Sequence, residues 1–107
     1  MTQTIISPQQ LNPSAATLTE IYDVPDGASF VGRLNICNRS ATATSFRVSI
    51  EVNNEATGDK QYLAYDTPIE GGQVISIDAI TMTDDDRLMV YATLATLSFS
   101  LMGVTNT

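Results

Sequence analysis

Ser45-Phe46-Arg47-Val48-Ser49-Ile50-Glu51-Val52 alternates strictly between apolar and polar residues. Phe46, Val48, Ile50 and Val52 share one side, and Arg47, Ser49 and Glu51 the other. Successive side chains on an extended backbone point to opposite faces, so a period of two predicts a strand with one face buried. Upstream, residues 29–38 repeat the pattern. Phe30, Leu34 and Ile36 lie on one face with Gly32 between them, and Arg33, Asn35 and Cys37 lie opposite. This segment reads as the partner of the first, across the small polar loop of residues 38–44.

Working outward, residues 17–24 form a weaker strand ended by Pro25-Asp26-Gly27. Pro lacks the N–H a ladder needs and Gly accepts positive φ, so that tripeptide is a turn. Residues 53–59 are a loop. Residues 61–65 are a short strand, with Tyr62 and Ala64 opposing Leu63 and Tyr65. Asp66-Thr67-Pro68 breaks the chain, and Gly71-Gly72 is a hinge. Strands follow at 73–80, 87–94 and 97–104, with Met82 tucked inward from a polar turn. About seven strands with turn signals between them predict an all-β fold. The expected architecture is a single antiparallel β-sandwich, jelly-roll or immunoglobulin-like, over residues 16–107. Residues 1–15 are polar, hold Pro8 and Pro13, and read as an extended N-terminal arm lying on a neighbouring chain.

Composition removes whole classes of function. The 107 residues carry five basic and twelve acidic side chains, a formal net charge of −7, with no His and one Cys. Without His, neither Ser-His-Asp nor Cys-His catalysis can be assembled from this chain, and the commonest metal ligand is missing. One Cys excludes an internal disulfide and a Cys-rich zinc site. The acidic balance argues against nucleic acid as a partner. No apolar run approaches the ~18–20 residues needed for a membrane-spanning helix, and the N-terminus lacks the basic and apolar regions of a secretory signal. The expectation is a protein that is no enzyme and uses no cofactor.

Asp84-Asp85-Asp86 is the densest charge cluster and the one weak candidate for a metal, since hard cations take several carboxylate oxygens. A solvated turn that discourages edge pairing explains it more simply. Asp23, Asp26 and Asp66 are turn residues, and Cys37 is a buried or half-buried structural thiol. Tyr62 and Tyr65, on opposite faces by alternation, would make no common stacking platform for sugars. Tyr65 and Tyr91 are the tyrosines expected at an interface, where amphipathic rings are favoured. Ile5, Ile6 and Leu11 of the arm, and Met102 near the end of the chain, complete the expected contact residues. Residues 2–6 could add a strand to another chain.

Three stretches together carry a resemblance. They are Leu34-Asn35-Ile36-Cys37-Asn38-Arg39-Ser40 leading into Phe46-Arg47-Val48, then Tyr62-Leu63-Ala64-Tyr65-Asp66-Thr67-Pro68-Ile69, then Leu97-Ser98-Phe99-Ser100-Leu101. With Leu18 to Tyr22, Val24-Pro25 and Gly27, their order and spacing resemble small β-sandwich virion structural proteins of tailed bacteriophages. The resemblance spans residues 15–104 and leaves out the arm. It implies a non-enzymatic particle component and leaves head or tail open. The leading expectation is a capsid decoration (cement) protein that self-associates, with a homotrimer favoured, and clamps neighbouring shell subunits such as the major capsid protein; a tail, baseplate or fibre component is the closest alternative. The implied place is the virion exterior, after assembly in the host cytoplasm. A carbohydrate-binding module is the alternative of a different class.

Overall fold

The computed structural model describes residues 2–107. It contains nine strands: β1 (Gln3–Ile5), β2 (Gln9–Leu11), β3 (Thr19–Asp23), β4 (Ser29–Asn38), β5 (Thr44–Glu51), β6 (Tyr62–Ile69), β7 (Val74–Thr83), β8 (Arg87–Ala92) and β9 (Leu97–Asn106). They form two antiparallel sheets. Sheet A has the order β1-β9-β4-β7, with β2 also on β9, and sheet B the order β3-β8-β5-β6. Phe30, Leu34 and Ile36 of β4 and Leu97, Phe99 and Leu101 of β9 face Phe46 and Val48 of β5 and Leu88 and Val90 of β8 across one core. The Phe46 and Phe99 rings meet edge to face, 6.4 Å apart.

The sandwich is a jelly roll. β1 and β2 occupy one strand position, because both pair with the long β9: Gln3–Ile5 against residues 106–104, and Gln9–Leu11 against residues 101–99. Counted so, sheet A reads first-last-third-sixth and sheet B second-seventh-fourth-fifth. An immunoglobulin-like sandwich would instead seat the first and second strands side by side. Two short pieces counted at one position, beside seven further strands, account for nine strands where about seven are expected.

Four expectations need correction. First, β4 and β5 are not partners. The β4–β5 loop crosses from one sheet to the other, so β4 pairs with β7 and β9 while β5 pairs with β6 and β8. Alternation reports which face is buried but not which strand lies alongside. Second, residues 2–11 do not extend away from the domain but lie along β9 of their own sandwich. The backbones of Thr2 and Thr107 exchange two hydrogen bonds of 2.9 Å, and Ile6 and Leu11 pack on the core of their own sandwich. Met1 lies outside the described residues. Third, Asp66-Thr67-Pro68 does not end its strand. β6 runs through to Ile69, and Asp66 adopts φ 47° within it. Fourth, Val52, expected inward, opens a 3-10 turn and is exposed.

Gly32 and Gly103 sit opposite each other on β4 and β9, with the Phe30 ring over them. A Cβ on Gly103 would press on the Val31 carbonyl oxygen and lie 2.7 Å from Gly32 Cα and 2.8 Å from Phe30 Cζ. Gly103→Ala is therefore expected to cost about 2–3 kcal/mol, because overpacking here meets backbone that cannot yield. A fall in the urea midpoint checks it.

Tyr22 of β3 packs against Phe30, with ring centroids 5.2 Å apart. Burial, and secondarily the Asp23 charge, raise its hydroxyl above the ordinary 10.0. The folded chain therefore holds this proton more tightly than the unfolded chain. The contribution is complete below the unfolded value and is lost as pH rises through the folded one. Above about pH 10, wild type should lose stability more steeply than Tyr22→Phe, read from urea midpoints against pH.

Candidate functional site

The outward face of sheet B carries a row of planar side chains. Arg47 of β5 and Tyr91 of β8 are register partners, so both project outward beside each other. Two irregularities in β6 bring further residues to the same face. The register runs Phe46↔Thr67, Val48↔Ala64, Ser49↔Tyr62, so β6 holds one extra residue in each step. An extra residue reverses the side to which the following residues point. Ala64 thus faces the core, while Tyr62 and Tyr65 both stand outward, their rings 4.8 Å apart at 78°. The strict alternation expected for 61–65 had placed these two tyrosines on opposite faces, and the bulge at Leu63 is the reason it does not hold.

Arg47 is the centre of the row. Its guanidinium carbon lies 4.3 Å from the Tyr65 ring centroid and 4.6 Å from that of Tyr91. Both rings offer it their electron-rich faces. Asp66 completes the clamp: its Oδ1 accepts from Arg47 Nε at 2.7 Å and its Oδ2 from Nη2 at 3.4 Å. The positive φ of Asp66 turns its carboxylate toward the arginine. This hydrogen bond raises the Arg47 pKa above its ordinary value, and its charge is permanent in water. Tyr65 remains 57 % exposed.

One π-face of Tyr65 and one of Tyr91 are taken up by Arg47. What the row offers outward is ring edges, hydroxyls and guanidinium N–H groups, held by one another rather than by a partner. Tyr and Arg are enriched at protein–protein interfaces and dominate binding where they are fixed in place. The arrangement is suited to contact.

The other expected contact residues divide. Ile5 and Met102 lie on the outer face of sheet A, Ile5 being 82 % exposed, whereas Ile6 and Leu11 serve the core. Two of the three adjacent carboxylates have separate structural partners. Asp86 is buried, its Oδ1 accepting from the Asn53 N–H and its Oδ2 from the Thr83 N–H, and Asp84 accepts from the Gly27 N–H. Among the described residues, no three His, Cys, Asp or Glu side chains come together as a metal site would require. Cys37 is a free, half-buried thiol.

Sequence reading singled out Tyr65 and Tyr91 but missed that Arg47, Tyr62 and Asp66 join them. The available signal was Arg47, a large cation in the outward set of the best-defined strand.

No family model matches the chain, and no curated protein matches it.

Proposed function

We propose that this chain is a non-enzymatic structural protein of a tailed-phage virion, a capsid decoration protein that binds neighbouring shell subunits through the Tyr62–Tyr65–Arg47–Tyr91 row. The observation that carries the reading is that row: a preassembled set of interface-type side chains on the outer face of the sandwich, with Tyr65 exposed and Arg47, Tyr62 and Tyr91 half-buried beside it. The jelly roll supports it, because viral capsid domains are a major user of this architecture. The sequence resemblance to phage virion proteins supports it independently. In this role, contact energy comes from fixed anchors that lose little side-chain entropy on docking, multiplied over symmetric copies.

A tail, baseplate or fibre position uses the same fold and the same row. Gold-labelled antibody against the chain, imaged on intact particles, separates the two. Label over the head is the expected result. Label confined to the tail replaces the shell role with the tail role, and unlabelled particles overturn the virion reading. A glycan platform fits less well, since sugars stack on free ring faces and Arg47 covers one face of both Tyr65 and Tyr91. A glycan array probed with the purified chain is expected to show no binding.

A further inference from the structure

We propose that the free edge of β1 pairs with the same edge of a second copy of this chain, about a two-fold axis at Ile5. The inference concerns the chain by itself and stands whether or not the virion reading holds.

A sandwich has four sheet edges, and three here are blunted against pairing. β3 has a register shift and carries Glu20 and Asp23. β6 has two shifts, Asp66 and Pro68. β7 has a shift at Asp78-Ala79, with Ala79 at φ 57°. The β1–β2 edge differs. The first charged side chain in the sequence is Glu20, and none follows Arg87, so neither this edge nor its neighbour β9 bears one. In a chain of net charge −7, this is where two copies approach with least repulsion.

The backbone is oriented for it. Thr2 and Thr107 exchange hydrogen bonds, and the Ile6 N–H donates to the Gly103 carbonyl at 3.1 Å. Even-numbered residues of β1 therefore turn toward β9, and Gln3 and Ile5 turn their N–H and C=O groups to the open edge. The side chains agree. Ile5, Val104 and Val31 are register neighbours on the outer face, with Ile5 82 % and Val31 46 % exposed. Antiparallel pairing with Ile5 opposite Ile5 of the second copy joins two such rows into one apolar band across both sheets. That edge is self-complementary, which favours a two-fold contact over the trimer expected from sequence.

The contact is smaller than a standard interface, so association is expected in the micromolar to millimolar range. Sedimentation equilibrium up to about 1 mM, with reductant to exclude a Cys37 disulfide, should show the mass rising from 11.5 kDa toward twice that value. Ile5→Lys should remain at 11.5 kDa with an unchanged melting temperature, since the side chain it replaces is exposed. Amide exchange read residue by residue should slow at Ile5 as concentration rises. A monomer throughout, a three-chain species, a dimer that survives Ile5→Lys, or an Ile5 amide indifferent to concentration would each overturn the proposal.

Discussion

Replacing Asn38 by leucine is expected to cost about 3–4 kcal/mol. Asn38 is 1 % exposed at the end of β4, where the chain leaves sheet A for sheet B. Its Nδ2 donates to the Thr42 carbonyl at 2.8 Å and the Glu70 carbonyl at 3.2 Å. Its Oδ1 accepts from the Ser40 N–H at 3.1 Å and the Ser40 hydroxyl at 3.3 Å. One side chain thereby ties the β4–β5 loop to the β6–β7 loop, and its own carbonyl accepts from the Gly72 N–H at 3.1 Å. Leucine has similar bulk but leaves buried carbonyls and an N–H without partners. Asn38→Asp keeps the acceptor and loses the donor, so it should also destabilise. Urea unfolding measures both. A loss below about 1 kcal/mol for leucine would show that water replaces the network.

Arg87→Met should cost a similar amount, about 3–5 kcal/mol, through a buried charge. Glu51 is 6 % exposed, and its Oε1 accepts from Arg87 Nη2 at 2.6 Å. Its Oε2 accepts from the Thr57 N–H at 3.0 Å and the Thr57 hydroxyl at 2.7 Å. Through these bonds the ion pair anchors the 52–61 loop over the outer face of β5. Removing Arg87 leaves a carboxylate out of water with no cation at hand. Adding Glu51→Gln to Arg87→Met removes that stranded charge and keeps an acceptor for Thr57, so the double variant should be more stable than Arg87→Met alone. A double variant that is no more stable would mean the carboxylate is hydrated rather than stranded.

These two positions also mark what the sequence could and could not disclose. Burial faces were legible wherever alternation ran unbroken. Phe46 and Val48 share the buried face of β5, Phe30, Leu34 and Ile36 share that of β4, and Met82 is tucked inward, as expected. Pro25-Asp26-Gly27 turns as its chemistry demands, with Gly27 at φ 76° and the Ala28 N–H bonded to the Pro25 carbonyl. Asn38 and Glu51 read as ordinary polar residues, because their burial depends on loops folding over them from distant parts of the chain. The Tyr–Arg row was half legible. Tyr65 and Tyr91 could be proposed singly, but their meeting over Arg47 requires two extra residues in β6, and a bulge leaves no trace in a hydrophobicity pattern. The N-terminal segment misled through composition alone. Residues 2–11 have little to bury, yet their backbone finds a ready ladder along the ten residues of β9.

The proposed role makes the Tyr–Arg row the surface by which the chain holds a particle. Its most direct test is saturation binding of the purified protein to phage particles depleted of it. Arg47→Ala and Tyr65→Ala should each weaken binding by roughly 30-fold, the scale of about 2 kcal/mol for an interface anchor, while the unfolding midpoint stays near that of wild type. Unchanged affinity for both variants, with wild type bound to the particle, would contradict the account and move the contact to another face of the sandwich.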